Sequence, residues 1–217
     1  MRSGPTTGSA RPANARDFLA FINELNATWM CAAERLSPRV LTDLYARAGN
    51  DLADFIETLP LDGDAIFPVS WAGEARSAAW LDIGREFTEV WHHGSQIRDA
   101  VGAGPFPDAG WLQAVLGIAM HALPHAYRDV AGRGGVSVVI HVTGRATGAW
   151  TLAHDGRTWD IAEGAVANPA AVATMPDQVA WRLLFNALSS REAHGLIRLD
   201  GDAALAEPLL QARAVIV

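Results

Sequence analysis

The chain has 217 residues, half of them apolar, and carries a formal charge of −7 at neutral pH. That length suits one large domain or two small ones with apolar content enough for a core, and the acidic balance excludes the basic footprint of a nucleic-acid surface. All 17 basic residues are arginine, which excludes Schiff-base chemistry on a lysine and a lysine-dependent phosphate loop.

The first fourteen residues, MRSGPTTGSARPAN, are rich in Gly, Pro, Ser and Thr and predict a disordered tail. They lack the apolar stretch of a secretory signal. A helical period begins near Ala15, with Phe18, Ile22, Leu25 and Trp29 on one face. Cys31 is the single cysteine, so no internal disulfide forms and a reducing cytoplasm is expected. Its apolar neighbours in NATWMCAAERL predict a buried, inert thiol. Ser37 caps a second helix with Pro38 at its first position and Val40, Leu41, Leu44, Leu52 and Phe55 inside. Residues 59–77, LPLDGDAIFPVSWAGEARS, read as a long ordered connection. A third helix is predicted over about 79–101, and a fourth from Trp111 towards Val130, bent or restarted at Pro124.

After AGRGG (131–135) the period changes. VSVVIHVTG, GAWTLAHDG and RTWDIAEG predict three strands with Gly-containing turns, and AAVATM a fourth. PDQVAWRLLFNALSS reads as a helix, AHGLIRLDG as a strand and DAALAEPLLQAR as a final helix. The expected organisation is a tail over 1–14, a helical unit over 15–132 and a smaller α+β unit over 133–217, without internal repeats. No apolar run is long enough to span a bilayer, so no membrane partner is expected.

The third helix holds the densest chemistry, in REFTEVWHHGSQIRDAVG (85–102). At 100° per residue, Ile83, Phe87, Val90, Gly94 and Val101 gather on one side and are expected to face the core. Asp82, Glu86, Glu89 and Gln96 gather opposite, His93 lies between the stripes, and His92 points towards the polar side. Glu89 and His93 are four apart, one above the other on neighbouring turns. That spacing suits two ligands of one divalent ion, a carboxylate oxygen and a neutral imidazole nitrogen. It equally suits an ordinary Glu–His pair on a solvated face. His121 and His125 share the spacing, but Pro124 between them favours capping or surface roles. His141, His154 and His194 read as structural.

EVWHHGSQIRDAVG resembles the helix motif of the mycothiol-dependent maleylpyruvate isomerase family, whose fold joins a DinB-like helical bundle to a small sterol-carrier-protein-like α+β domain. GAWTL, WRLLFNALSS and GDAALAEPLLQARAVIV resemble that C-terminal domain. The resemblance implies an α+β protein of that order, with Glu89 and His93 as ligands of zinc or another divalent metal. It implies mycothiol, a low-molecular-weight thiol, as cofactor, and a small carboxylate as substrate of a thiol-dependent isomerase or transferase. Arg182 is then the candidate cation for substrate carboxylates, with Arg85 and Arg98 as rivals, and Trp71 the tryptophan most readily placed in a cleft. The chain departs from the family in one respect: no histidine precedes His92, so the third ligand and the helix preceding it are expected to be missing. Loss of a bundle helix exposes apolar surface and favours homodimer pairing. The alternatives are a non-catalytic binding or pairing module and an inactive remnant.

Overall fold

The computed structural model describes residues 15–65 and 67–215; the tail expected over 1–14 lies outside them. By its contacts the chain divides into two units, Met1–Leu59 and Pro60–Val217.

The first unit holds α1 (Ala15–Ala33) and α2 (Pro38–Glu57). Ser37 caps α2 as expected: its Oγ accepts the Val40 N–H at 3.4 Å, and Pro38 opens the helix where its missing N–H costs nothing. The apolar positions of α2 fall on one face, yet none of its residues is buried. Cys31 is exposed, as are Trp29 and Met30, which corrects its reading as a buried thiol. Apolar neighbours in sequence bury a side chain only where another element covers them.

The second unit is a mixed α+β fold around one five-stranded sheet. In chain order it contains α3 (Ala79–Ala100), α4 (Ala109–Ala119), α5 (Leu123–Ala126), β1 (Ser137–Thr143), β2 (Gly148–His154), β3 (Trp159–Glu163), β4 (Ala171–Pro176), α6 (Asp177–Leu184), α7 (Ser190–His194), β5 (Arg198–Gly201) and α8 (Ala203–Ala206). The strands lie in the order β3-β2-β1-β4-β5; β1 and β4 pair in parallel and every other neighbour is antiparallel. All five predicted strands form. Pro124 restarts the helix as α5 after a 3-10 turn over Met120–Ala122. The final helix is a single turn, α8, because Pro208 diverts the chain into a 3-10 segment, Glu207–Gln211. The glycine-rich stretch 131–135 lies inside this unit. Leu116, Leu123 and Tyr127 before it share one buried core with Val138, Ile140 and Leu152 after it. The buried Tyr127 hydroxyl donates to the Leu205 carbonyl at 2.7 Å, tying α5 to α8.

Asp177, the first residue of α6, is buried and holds the sheet to its helix layer. Its Oδ2 accepts the backbone N–H groups of Arg145 (3.0 Å) and Ala146 (2.9 Å), and its Oδ1 that of Gln178 (2.7 Å). Gly144 makes the approach feasible: φ is +121°, and a Cβ there would lie 2.7 Å from Oδ1. Asp177→Ala strips three N–H groups of their acceptor, and urea denaturation will show unfolding free energy lowered by about 2–4 kcal/mol.

Candidate functional site

The seating of α3 decides where its chemistry lies. Leu81, Gly84, Thr88, Trp91, His92 and Ser95 form the buried face. Gly84 lets the Ile118 side chain of α4 approach to 3.2 Å from where a Cβ would stand. The Thr88 hydroxyl donates to the Arg85 carbonyl at 2.8 Å and so enters the interior satisfied. Trp91 meets Trp181 of α6 edge-on, ring centroids 5.2 Å apart. His92 packs against Phe185 at 5.0 Å.

The helix is rotated from the expected orientation, with the expected apolar face turned out of the core. Phe87, Val90 and Val101, expected in the core, are exposed, Ile83 and Gly94 are half-buried, and Asp82 and His92, expected on the polar side, are buried. Small and locally bonded side chains allow close packing of α3 on α4 and α6, whereas the branched apolar stripe faces away.

Glu89 and His93 come together on the outward side. His93 Nε2 lies 3.5 Å from Glu89 Oε2, with the side chains 67% and 37% exposed, so solvent reaches both. His93 Nδ1 lies 2.9 Å from Gln96 Oε1, and its ring stacks on that of His92 at 5.4 Å. Partial burial raises the Glu89 carboxyl above its ordinary value, against the attraction of His93 and Arg85. Among the described residues no group of three or more His, Cys, Asp or Glu side chains gathers as a metal centre. The pair supplies two donors, where catalytic zinc sites use three protein ligands and structural sites four; by themselves the two do not complete such a site.

Arg182 has other partners. Its guanidinium donates to Asp99 Oδ2 (3.1 Å) and Gln178 Oε1 (2.9 Å), and lies over the Trp181 ring at 4.2 Å. Arg85 pairs with Asp82 and Glu86, and Arg98 donates to the carbonyls of Ala103, Gly104 and Pro105 beyond the end of α3. Trp71 is buried in a 3-10 turn, Ser70–Ala72.

A feature outside the expected site is an open cleft of about 560 Å³ between α4 and the β2–β3 side of the sheet. Trp80, Ile118, His121, Trp150, Ile161 and Glu163 line it. Trp80 and His121 meet nearly perpendicular at 5.1 Å. Gly148 places Trp150, because a Cβ there would collide with the indole. Gly117 leaves its stretch of wall bare: a Cβ would meet nothing within 4 Å. The alternation of Trp150 along β2 and the glycine at 117 are visible in the sequence, but nothing in either says that α4 lies across that strand.

No protein-family model matches the chain, and no curated protein matches it. Part of the chain is similar to solved sterol carrier proteins. Sterol carrier protein 2-like 2 from Aedes aegypti is 19% identical over 46% of this chain and 87% of its own, with a TM-score of 0.31. Sterol carrier protein domain 2 of Helicoverpa armigera is 17% identical over 46% and 84%, with a TM-score of 0.33. Sterol carrier protein 2 from Yarrowia lipolytica is 17% identical over 62% and 89%, with a TM-score of 0.29. Likeness of this degree assigns no activity. No helix among the described residues is long and apolar enough to cross a membrane.

Burial pushes both His92 and His121 below the ordinary histidine value. The unfolded chain therefore binds protons at these sites more readily than the folded one, and stability rises with pH through that window. The melting temperature will fall as pH drops from about 7 to about 5.5, bracketing the free histidine pKa. The double variant His92→Gln/His121→Gln will flatten that slope.

Proposed function

We propose that the Pro60–Val217 unit is a binding module that takes a small, largely apolar molecule into the cleft between α4 and β2–β3. The observation that carries this reading is the cleft itself, about 560 Å³ with two tryptophans and two isoleucines in its wall, within the range of small-molecule sites. Glu163 and His121 at the same wall provide polar contacts that orient a ligand with a hydroxyl or amide. The resemblance of GAWTL and WRLLFNALSS to sterol-carrier-protein-like domains agrees with an apolar cargo. The test is binding of a fluorescent fatty-acid analogue to the wild type and to Gly117→Leu, which fills the bare wall. Wild type binds, and the variant loses affinity about tenfold or more, as expected for a side chain placed in the ligand's volume. Its melting temperature stays level or rises, because leucine is the better helix former. Equal affinity in the two proteins refutes the cleft as the site.

A second reading is the metal- and mycothiol-dependent isomerase or transferase of the maleylpyruvate isomerase family. It is favoured by the 3.5 Å approach of His93 to Glu89. A divalent ion held there would keep a bound thiol as thiolate. The two side chains would be its ligands from this helix, and further donors must come from elsewhere. For Arg182 to receive a substrate carboxylate, it would exchange Asp99 for it. Zinc titration followed by calorimetry is the check: uptake is weak, in the micromolar range or above, and disappears in Glu89→Ala and in His93→Ala. Zinc content indifferent to both substitutions removes this reading.

A further inference from the structure

A second concavity, sharing no residue with the cleft, lies beside α5. It encloses about 330 Å³ between α5, the 3-10 turn Ser70–Ala72 and the chain around the end of the 3-10 segment Glu207–Gln211. Arg128 and Arg213 both line it, and no aspartate or glutamate does. Against the chain's formal charge of −7, this lining is cationic.

Arg213 is half-buried and meets only neutral acceptors. Its guanidinium donates to Asn186 Oδ1 (3.0 Å), the carbonyls of Leu210 (3.1 Å) and Ala212 (2.7 Å), and Ser190 Oγ (3.4 Å). These bonds fix the guanidinium and leave an N–H on Nη2 to spare, but none of them cancels its charge. Arg85, Arg182 and Arg198, by contrast, each meet a carboxylate. Burial works against the Arg213 charge, so an anion brought to the cavity relieves a penalty already present in the fold. Arg128 donates to the His125 carbonyl at 2.8 Å and lies 3.4 Å from Asp129, while its Nη2 has no partner among the described residues. Asp129 offsets Arg128, so the net charge beside the cavity is that of a single cation. Burial and the neighbouring Arg128 hold His125 below the ordinary histidine value, and above neutral pH it adds no charge.

We infer that this cavity binds a small organic monocarboxylate, its charged end towards Arg213 and Arg128 and its apolar body against Trp71, Ala126 and Val215. Ser70 and Gln211, exposed in the same lining, have side chains without partners among the described residues and supply further donors. A single net cation matches a monoanion, whereas a phosphate dianion would remain under-compensated. The site uses neither the cleft residues nor Glu89 and His93, so it stands whichever function holds.

The test is NMR titration of the full chain at about pH 7.5, above the free histidine pKa, with benzoate, benzamide and inorganic phosphate. Benzoate binds in the millimolar range, as suits so small a ligand. Benzamide has the same shape without the charge and binds about tenfold more weakly. Phosphate also binds more weakly than benzoate. Arg213 anchors four partners, so the charge is varied at exposed Gln211 instead. Gln211→Glu is isosteric and weakens benzoate binding about tenfold at an unchanged melting temperature; Gln211→Lys strengthens it about threefold. Gly117→Leu, which fills the cleft, binds benzoate like the wild type. Absence of benzoate binding overturns the proposal, as does benzamide binding equally well or an affinity indifferent to Gln211→Glu. Phosphate binding tighter than benzoate overturns the monocarboxylate assignment.

Discussion

The edge-on contact of Trp91 with Trp181 fixes the rotation of α3 and, through it, most of the surface chemistry of the larger unit. Trp91 also lies beside Phe106 and Phe185, so one indole on α3 joins the helix to α6 and to the loop that leads into α4. With Trp91 inward, helical geometry leaves no freedom for the rest of α3. Positions three, four and seven away, Thr88, Ser95 and Gly84, go inward with it. Glu89 and His93 then stand at the solvent side, and Phe87, Val90, Ile97 and Val101 face outward. The large apolar contact of an aromatic pair outweighs burying the Thr88 and Ser95 hydroxyls, since Thr88 keeps a bond to its own helix.

The sheet contributes a second fixed frame. Because β1 and β4 lie side by side in parallel, the turn after β1 and the start of α6 come to the same end of the sheet. Asp177 closes that junction with three accepted N–H bonds in a buried setting. From this junction α6 carries Trp181 back to meet Trp91. The chain from Asp177 to Trp181 therefore couples sheet register to the rotation of α3. On the other flank, β2 presents Trp150 to α4 and forms the cleft wall. Tyr127 and Trp159 pack edge-on at 5.3 Å nearby, and Trp159 donates to the Val130 carbonyl. These contacts hold the region before β1 against β3.

The polar clusters sort by their partners. Arg182 is engaged by Asp99 and Gln178, Arg85 by Asp82 and Glu86, and Arg98 by three carbonyls. Arg182 thereby ties α6 to α3 and Arg98 ties the end of α3 to the loop after it, whereas Arg85 is held by neighbours on its own helix. His154 is of the same kind, accepting the Gly156 N–H at 3.0 Å beneath Trp159. The pair of Glu89 and His93, like Arg85, is held by neighbours on its own helix.

Local chemistry was enough to read the elements. The Ser37–Pro38 start of α2, the first three strands with their glycine-containing turns and the restart at Pro124 depend on side chains a few residues apart, which a sequence displays directly. The approach of His93 to Glu89 was legible for the same reason, since four residues along a helix is a fixed distance. The rotation of α3, the burial of His92, the exposure of Cys31, the Asp99 partner of Arg182 and the cleft beneath α4 were decided only by tertiary structure. Periodicity reveals that a helix has two unlike faces; which of them goes inward depends on what the facing elements can accommodate. Here a glycine, two hydroxyls and one indole fit closely against α4 and α6, and the branched apolar side chains of the opposite face were left outside.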